Sequence, residues 1–168
     1  MLFRSGEIAA EFLENPLCRK LTFTGSTEVG KKLIAGAAAQ VKPLSLELGG
    51  HSPVLIFDDA DLAKAVEGTM IAKYRNTGQS CIAANRIYVQ RGIAAQFIPA
   101  FVERVKALKV GNGLEPGVEI GPLINAAAVD LALKHIADAQ AQGAQLLCGG
   151  KRIGDAGSAF LEIGRAHV

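Results

Sequence analysis

Cys81 closes a polar, glycine-containing run, Arg75-Asn76-Thr77-Gly78-Gln79-Ser80-Cys81, and has Gln79 and Ser80 on its N-terminal side rather than core residues. A lone cysteine is most often a small buried hydrophobe. A thiol held in polar surroundings is instead placed for nucleophilic chemistry once deprotonated. Cys18 and Cys148 keep the ordinary buried reading. Glu47 is next to last in Leu44-Ser45-Leu46-Glu47-Leu48, a run that leads directly into Gly49-Gly50. It is either a solvated strand-terminal charge or a carboxylate held for acid–base work. The run Gly25-Ser26-Thr27-Glu28-Val29-Gly30-Lys31-Lys32 nearly matches a phosphate-binding loop, but position 32 is Lys where a magnesium-binding hydroxyl is required. Nucleotide hydrolysis is therefore disfavoured. An anion such as a pyrophosphate still suits the free N–H groups of a helix start, unless Gly25 serves only as a tight strand-to-helix turn. Arg75, six residues before Cys81, reads by itself as an ordinary solvent-facing cation at a helix end.

These residues need elements to hold them, and apolar periodicity alternates between helix and strand along the chain, which argues for an α/β fold. Ile8, Phe12 and Leu13 share a helical face that ends near Asn15-Pro16, and Lys20 to Thr24 reads as a short strand. Gly25-Ser26-Thr27 opens a helix whose Val29, Leu33 and Ile34 line one face, with Glu28 four before Lys32. In the next strand Leu44, Leu46 and Leu48 share one side and Ser45 and Glu47 the other. A boundary falls near Gly49, followed by a strand from Pro53 to Phe57 that stops at Asp58-Asp59. Asp61 caps a helix with Leu62, Val66 and Met70 at four-residue spacing. Beyond the Cys81 loop come a strand, Arg86 to Gln90, and a helix with Ile93, Phe97, Phe101, Val105 and Leu108 on one side. Gly111 to Pro122 reads as loop, then a helix with Val129, Leu133, Ile136 and Gln140 on one face, then a strand from Ala144 to Cys148 closed by Gly149-Gly150.

Composition narrows the function classes. Of 168 residues, 49% are apolar and 20% charged, with 18 Lys and Arg against 16 Asp and Glu. That balance, with the signs interspersed, lacks the basic stripe that nucleic-acid binding needs. No apolar stretch approaches the ~20 residues that span a bilayer, and no secretory signal is visible. Three cysteines spaced 63 and 67 residues apart suit a reducing, cytoplasmic setting better than a disulfide framework, and no metal site is expected. His51 and His135 read as surface or cap histidines. Back-translation of Leu2 to Ser5 and of Glu162 to Val168 allows one inverted repeat resembling a short-read sequencing adapter. On that reading residues 1–5 and 162–168 are artefact, and Ile163, His167 and Val168 enter neither core nor site.

Three runs together, Phe23 to Gly30, Leu46-Glu47-Leu48-Gly49-Gly50 and Asn76 to Arg86, strongly resemble the aldehyde dehydrogenase superfamily, with Glu47 and Cys81 separated by 34 residues as in that family. The likeness covers about Gly6 to Arg152 and is greatest to the members that oxidise succinate semialdehyde. It implies an internal fragment of the family fold: residues 6–48 as the second part of a Rossmann-like NAD(P)-binding domain, and residues 49–161 as the first part of an α/β catalytic domain. By resemblance, Cys81 is the nucleophile that forms a thiohemiacetal and then a thioester, and Glu47 activates the hydrolytic water. Gly25, Ser26, Gly30, Leu48 and Gly49 face the cofactor, NAD or NADP, and Arg75 clamps the distal carboxylate of the substrate. Glutarate semialdehyde and a broader aldehyde range are the competing substrates. The resemblance places an oxyanion-binding Asn and a ribose-binding Lys segment upstream of this chain and a nicotinamide-ribose Glu segment downstream. It also implies a homo-oligomer for the full-length protein. Ala83 stands where some relatives carry a second Cys, so no redox-switch disulfide with Cys81 is available. A reading of another class is an inert fragment with at most residual nucleotide or partner binding. Its exposed strand edges would limit its solubility.

Overall fold

The computed structural model describes residues 5–167 and divides into two compact units, Met1–Gly50 and His51–Val168. In the first unit, α1 (Ser5–Glu14) leads to β1 (Leu21–Gly25), α2 (Thr27–Ala37), a single 3-10 turn over 38–40, and β2 (Leu44–Leu48). β1 and β2 pair in parallel, Leu21 opposite Leu44 and Gly25 opposite Leu48, so α2 is the crossover of a strand–helix–strand unit. Its packing face uses Gly30, Leu33 and Ala37, all buried. Ile8, Phe12 and Leu13 of α1 turn toward α2 and β1 but remain unsealed, lining an apolar groove of about 840 Å³ with Leu21, Phe23 and Leu33.

Lys42 ties the unit together. Though a lysine, it is only 8% exposed, and its Nζ donates to the backbone carbonyls of Phe12 and Asn15, both at 2.8 Å. Gln40 donates to the carbonyl of Glu14 at 2.6 Å. The last turn of α1 leaves its carbonyls without intrahelical partners, and two side chains from the turn after α2 supply them.

The second unit opens with β3 (Ser52–Ile56), then α3 (Leu62–Tyr74), β4 (Ala84–Val89) and α4 (Arg91–Lys106). β3 and β4 are parallel, with Val54 opposite Ile87 and Ile56 opposite Val89. Their inner face meets α3 and α4 in a core of Ile56, Val66, Met70, Tyr74, Ile93, Phe97, Phe101, Val105 and Ile120. Phe97 and Phe101 stack at 5.5 Å between ring centroids, adding to the burial of their area. Asp61 caps α3 as its position requires, accepting from Lys64 N–H at 3.0 Å. Asp58 accepts from Ile93 N–H at 3.1 Å, while Gln90 Oε1 accepts from Asp58 N–H at 2.9 Å, joining the end of β3 to the start of α4.

After α4, the segment expected as plain loop contains a parallel bridge between Val110 and Ile120, and Ile120 is 2% exposed. Leu108, expected on α4, lies two residues beyond its end and packs against the core from there. α5 (Ala126–Ala141) is capped by Asn125 and buries Val129, whereas Gln140 is exposed because its amide is better hydrated than packed. β5 (Gln145–Cys148) follows, with two further pieces absent from the sequence reading, the antiparallel pair β6 (Arg152–Ile153) and β7 (Phe160–Leu161). Arg152 fastens that pair by donating to the Ser158 carbonyl and pairing with Asp130 on α5.

The chain end departs from expectation. β8 (Arg165–His167) pairs antiparallel with β5, and Ile163, expected to stay out of any core, packs against it beside Leu108 and Cys148. The open edge of β5 offers a row of backbone donors and acceptors that an extended segment can satisfy, and an isoleucine there gains apolar contact. Met1 to Arg4 and Val168, assigned from sequence to the adapter-like ends, lie outside the described residues.

Candidate active site

In the first unit the site residues gather where β1 and β2 end and α2 begins. Ser26 has extended backbone (φ −74°, ψ 149°) and caps α2, its Oγ accepting from Val29 N–H at 3.2 Å while its carbonyl accepts from Gly30 N–H at 3.0 Å. The N–H groups of Thr27 and Glu28, in the first helical turn, have no intrahelical acceptor, and both residues are exposed. The positive end of the helix dipole adds to their pull on an anion. Glu28 in the same turn is engaged by Lys32 at 2.7 Å. That contact, first through its hydrogen bond and then through its charge, holds the Glu28 carboxyl below the usual carboxylate range.

The glycines here are explained by protein neighbours. A Cβ on Gly25 would come 2.4 Å from the Phe23 ring, and one on Gly30 would come 2.8 Å from a Leu48 methyl. Gly49, by contrast, has nothing within 4 Å of such an atom. Glu47 is exposed on the face of β2 opposite the leucines, with Thr24 as its register partner on β1.

Cys81 and Arg75 belong to the second unit, on the connection from α3 to β4. Arg75 leaves the helix with φ −53° and ψ 130°, and the next three residues are left-handed: Asn76 at φ 54°, Thr77 at 60° and Gly78 at 74°. Asn tolerates this region, whereas a β-branched Thr there is strained by roughly 1–3 kcal/mol. Hydrogen bonds compensate. Asn76 Nδ2 donates to the Gln79 carbonyl at 2.9 Å, Gln79 N–H to the Asn76 carbonyl at 3.0 Å, and Ala83 N–H to the Ser80 carbonyl at 3.1 Å. Gly78 is required, since a Cβ would lie 2.8 Å from the Lys73 carbonyl oxygen. The loop therefore arches over fixed ends, α3 on one side and the buried Ala83 and Ala84 on the other, and leaves the Cys81 thiol exposed. Strained, well-anchored loops of this type concentrate at functional sites.

Arg75 is exposed and lines, with Tyr74, Asn76, Arg104 and Glu119, a cavity of about 310 Å³. Cys81 is not among its lining residues. Sequence reading missed a third feature of this region. Lys73 Nζ donates to Asn85 Oδ1 at 2.8 Å, and Asn85 Nδ2 meets His51 Nδ1 at 2.9 Å. His51 reads as a surface or cap histidine because no local pattern links it to a partner 34 residues away. Among the described residues, no group of three or more His, Cys, Asp and Glu could hold a metal ion, and no helix is long and apolar enough to cross a membrane.

The family model for the aldehyde dehydrogenase family matches residues 2–162, and the chain belongs to that family of oxidoreductases. It is 54% identical over 147 residues to a glutarate-semialdehyde dehydrogenase of Pseudomonas aeruginosa, covering 88% of this chain and 30% of that protein. A succinate-semialdehyde dehydrogenase [NADP(+)] of Escherichia coli is 51% identical over 147 residues, with the same coverage of 88% and 30%. The crystal structure of succinate-semialdehyde dehydrogenase from Burkholderia pseudomallei superimposes with a TM-score of 0.93 at 48% identity, over 99% of this chain and 34% of that one. The two units are thus part of the aldehyde dehydrogenase fold. The chain spans about a third of the length of these relatives.

Proposed function

We propose that this chain carries the nucleophile and the hydrolytic base of an NAD(P)-dependent dehydrogenase that oxidises succinate semialdehyde to succinate. The observation that supports this most directly is the exposed Cys81 on a strained loop held between α3 and β4, in a family whose close members here act on semialdehydes by name. The Cys81 thiolate adds to the aldehyde carbonyl to give a thiohemiacetal, sulfur being both strongly nucleophilic and able to leave later. The fit of the cofactor to the first unit rests on the exposed first turn of α2, where the Thr27 and Glu28 N–H groups and the Ser26 cap suit a pyrophosphate. Gly25, Gly30, Leu48 and Gly49 shape the surrounding backbone, and Gly49 is open to an approaching group. When bound, a nicotinamide accepts the hydride that the substrate carbon loses. Glu47, exposed at the end of β2, takes a proton from the water that attacks the resulting thioester, releasing the acid and the thiolate.

Arg75 supplies the substrate preference, as a planar donor for the distal carboxylate. A second reading, glutarate semialdehyde, is supported by the Pseudomonas relative at 54% identity, and one more methylene is within the tolerance of a carboxylate clamp. The test is made in the longer enzyme that contains this segment. Cys81→Ala should abolish aldehyde-dependent reduction of NAD and NADP while the protein stays folded. Full activity in that variant overturns the proposal.

A further inference from the structure

The loop that carries Cys81 has a narrow neck, and three side chains outside the loop's own hydrogen bonds hold it. Lys73 sits in the last turn of α3, where the chain enters the loop, and Asn85 sits in the second position of β4, where it leaves. The bond from Lys73 Nζ to Asn85 Oδ1 therefore spans 12 residues and joins the two ends of the loop. The Lys73 carbonyl also packs beneath Gly78, within 2.8 Å of where its Cβ would stand. His51, the residue just before β3, meets the other end of the same amide.

The chemistry of the three groups sets their orientation. A lysine ammonium only donates, so the asparagine oxygen must face it and the amide nitrogen must face His51. Asn85 Nδ2 then donates, and His51 Nδ1 has to accept, which fixes its proton on Nε2. Flipping the amide would set an NH₂ against the ammonium, so the lysine locks the amide and the amide locks the tautomer.

We propose that Asn85 is a positioning residue for Cys81, acting with Lys73 and His51 to hold the neck of the 75–83 loop. α3 carries Lys64, Glu67 and Lys73, of which Lys73 lies in the last turn, β4 carries Arg86, whose partner on β3 is Pro53, and β3 itself carries no charge. The catalytic meaning of the clamp rests on the Cys81 assignment, but the clamp can be measured without turnover.

The experiment is hydrogen exchange, resolved by peptide, on the 168-residue chain. Asn85→Ala should speed exchange of the 76–83 amides by roughly tenfold or more, the loss of one charge-assisted hydrogen bond, and leave α5 unchanged. His51→Ala should act in the same direction. His51→Asn, which keeps an acceptor near the Nδ1 position, should restore protection. Loop exchange unchanged by Asn85→Ala, or faster to the same extent in α5, overturns the proposal. So does a His51→Asn variant whose loop exchanges as fast as that of His51→Ala. Protection lost in Asn85→Ala, alongside turnover spared by Cys81→Ala in the longer enzyme, would uphold the clamp and overturn only the role given to Cys81.

Discussion

Gly30 on α2 faces Leu48 on β2 so closely that a Cβ at position 30 would stand 2.8 Å from a Leu48 methyl. The glycine thus lets the crossover helix settle onto the strand that ends beside Glu47. Alanine at position 30 gains up to about 1 kcal/mol of helix propensity but must displace the leucine, at about 1–3 kcal/mol for an overpacked contact. Gly30→Ala should therefore fail to stabilise the first unit, yet stabilise it in a Leu48→Ala background. Denaturant melts of the four variants give the coupling, and additive effects would show that the contact carries no energy.

Lys42 is a buried cation whose partners are all backbone carbonyls at the end of α1. Replacing it with methionine preserves most of the packing and removes both bonds, a loss of about 1.5–3 kcal/mol for hydrogen bonds from a charged group. Lys42→Met should raise hydrogen exchange over residues 5–14 well before it affects the second unit. Unchanged protection of α1 would mean that the groove-lining apolar face, not the lysine, secures the helix.

The ion pairs on the helix surfaces predict weak and opposite pH dependences. The Glu28 carboxyl is held low by Lys32, so its contribution is present above the unfolded-state value and is lost as pH falls through the lower folded one. The Lys106 ammonium is held high, first by the hydrogen bond to Glu103 and then by its charge. Its contribution is complete below the unfolded-state value and disappears as pH rises through the folded one. Both pairs are exposed and screened. The coupling between Glu28→Gln and Lys32→Gln should be measurable near neutrality at low salt and vanish in acid or at high salt. Coupling that survives acid would contradict the assignment of the charged pair.

Glu47 and Arg75 are separable by kinetics in the longer enzyme. Glu47→Gln should leave the first burst of reduced nicotinamide intact and slow later turnovers by about 100-fold or more, the usual worth of a general base. A lost burst would place Glu47 earlier in the reaction. Arg75→Ala should lower kcat/KM for succinate semialdehyde by about 10- to 100-fold, the worth of a charge-assisted hydrogen bond. An uncharged aldehyde should be little affected. Equal losses on both substrates would make Arg75 a structural residue of the loop.

Local rules were enough to read the strand–helix–strand unit, because the signals are contiguous. Leu44, Leu46 and Leu48 alternate against Ser45 and Glu47, and the exposed Glu47 lies opposite the leucines as that period demands. Asp61 announces its helix as a cap, Gly25-Ser26-Thr27 marks the start of another, and Ile93, Phe97, Phe101 and Val105 show the core face of α4. Cys81 stands out by its polar loop together with the family resemblance of Asn76 to Arg86, and the glycine at 78 marks a turn, although the left-handed Asn76 and Thr77 beside it give no comparable signal. Other features depend on residues far apart in the chain. A lysine in the turn after α2 reads as a surface charge until α1 brings two carbonyls to it. Ile120 reads as loop until its bridge to Val110 folds it beneath α3 and α4. The two-residue strands β6 and β7 are too short to show any period. His51 and Asn85 form a pair only because β3 and β4 lie side by side. Periodicity and capping act within one or two turns of chain, so sequence alone determined the longer elements and pointed to the candidate nucleophile. Long-range hydrogen bonds depend on where those elements meet, and only the tertiary structure decided which polar side chains hold the Cys81 loop in place.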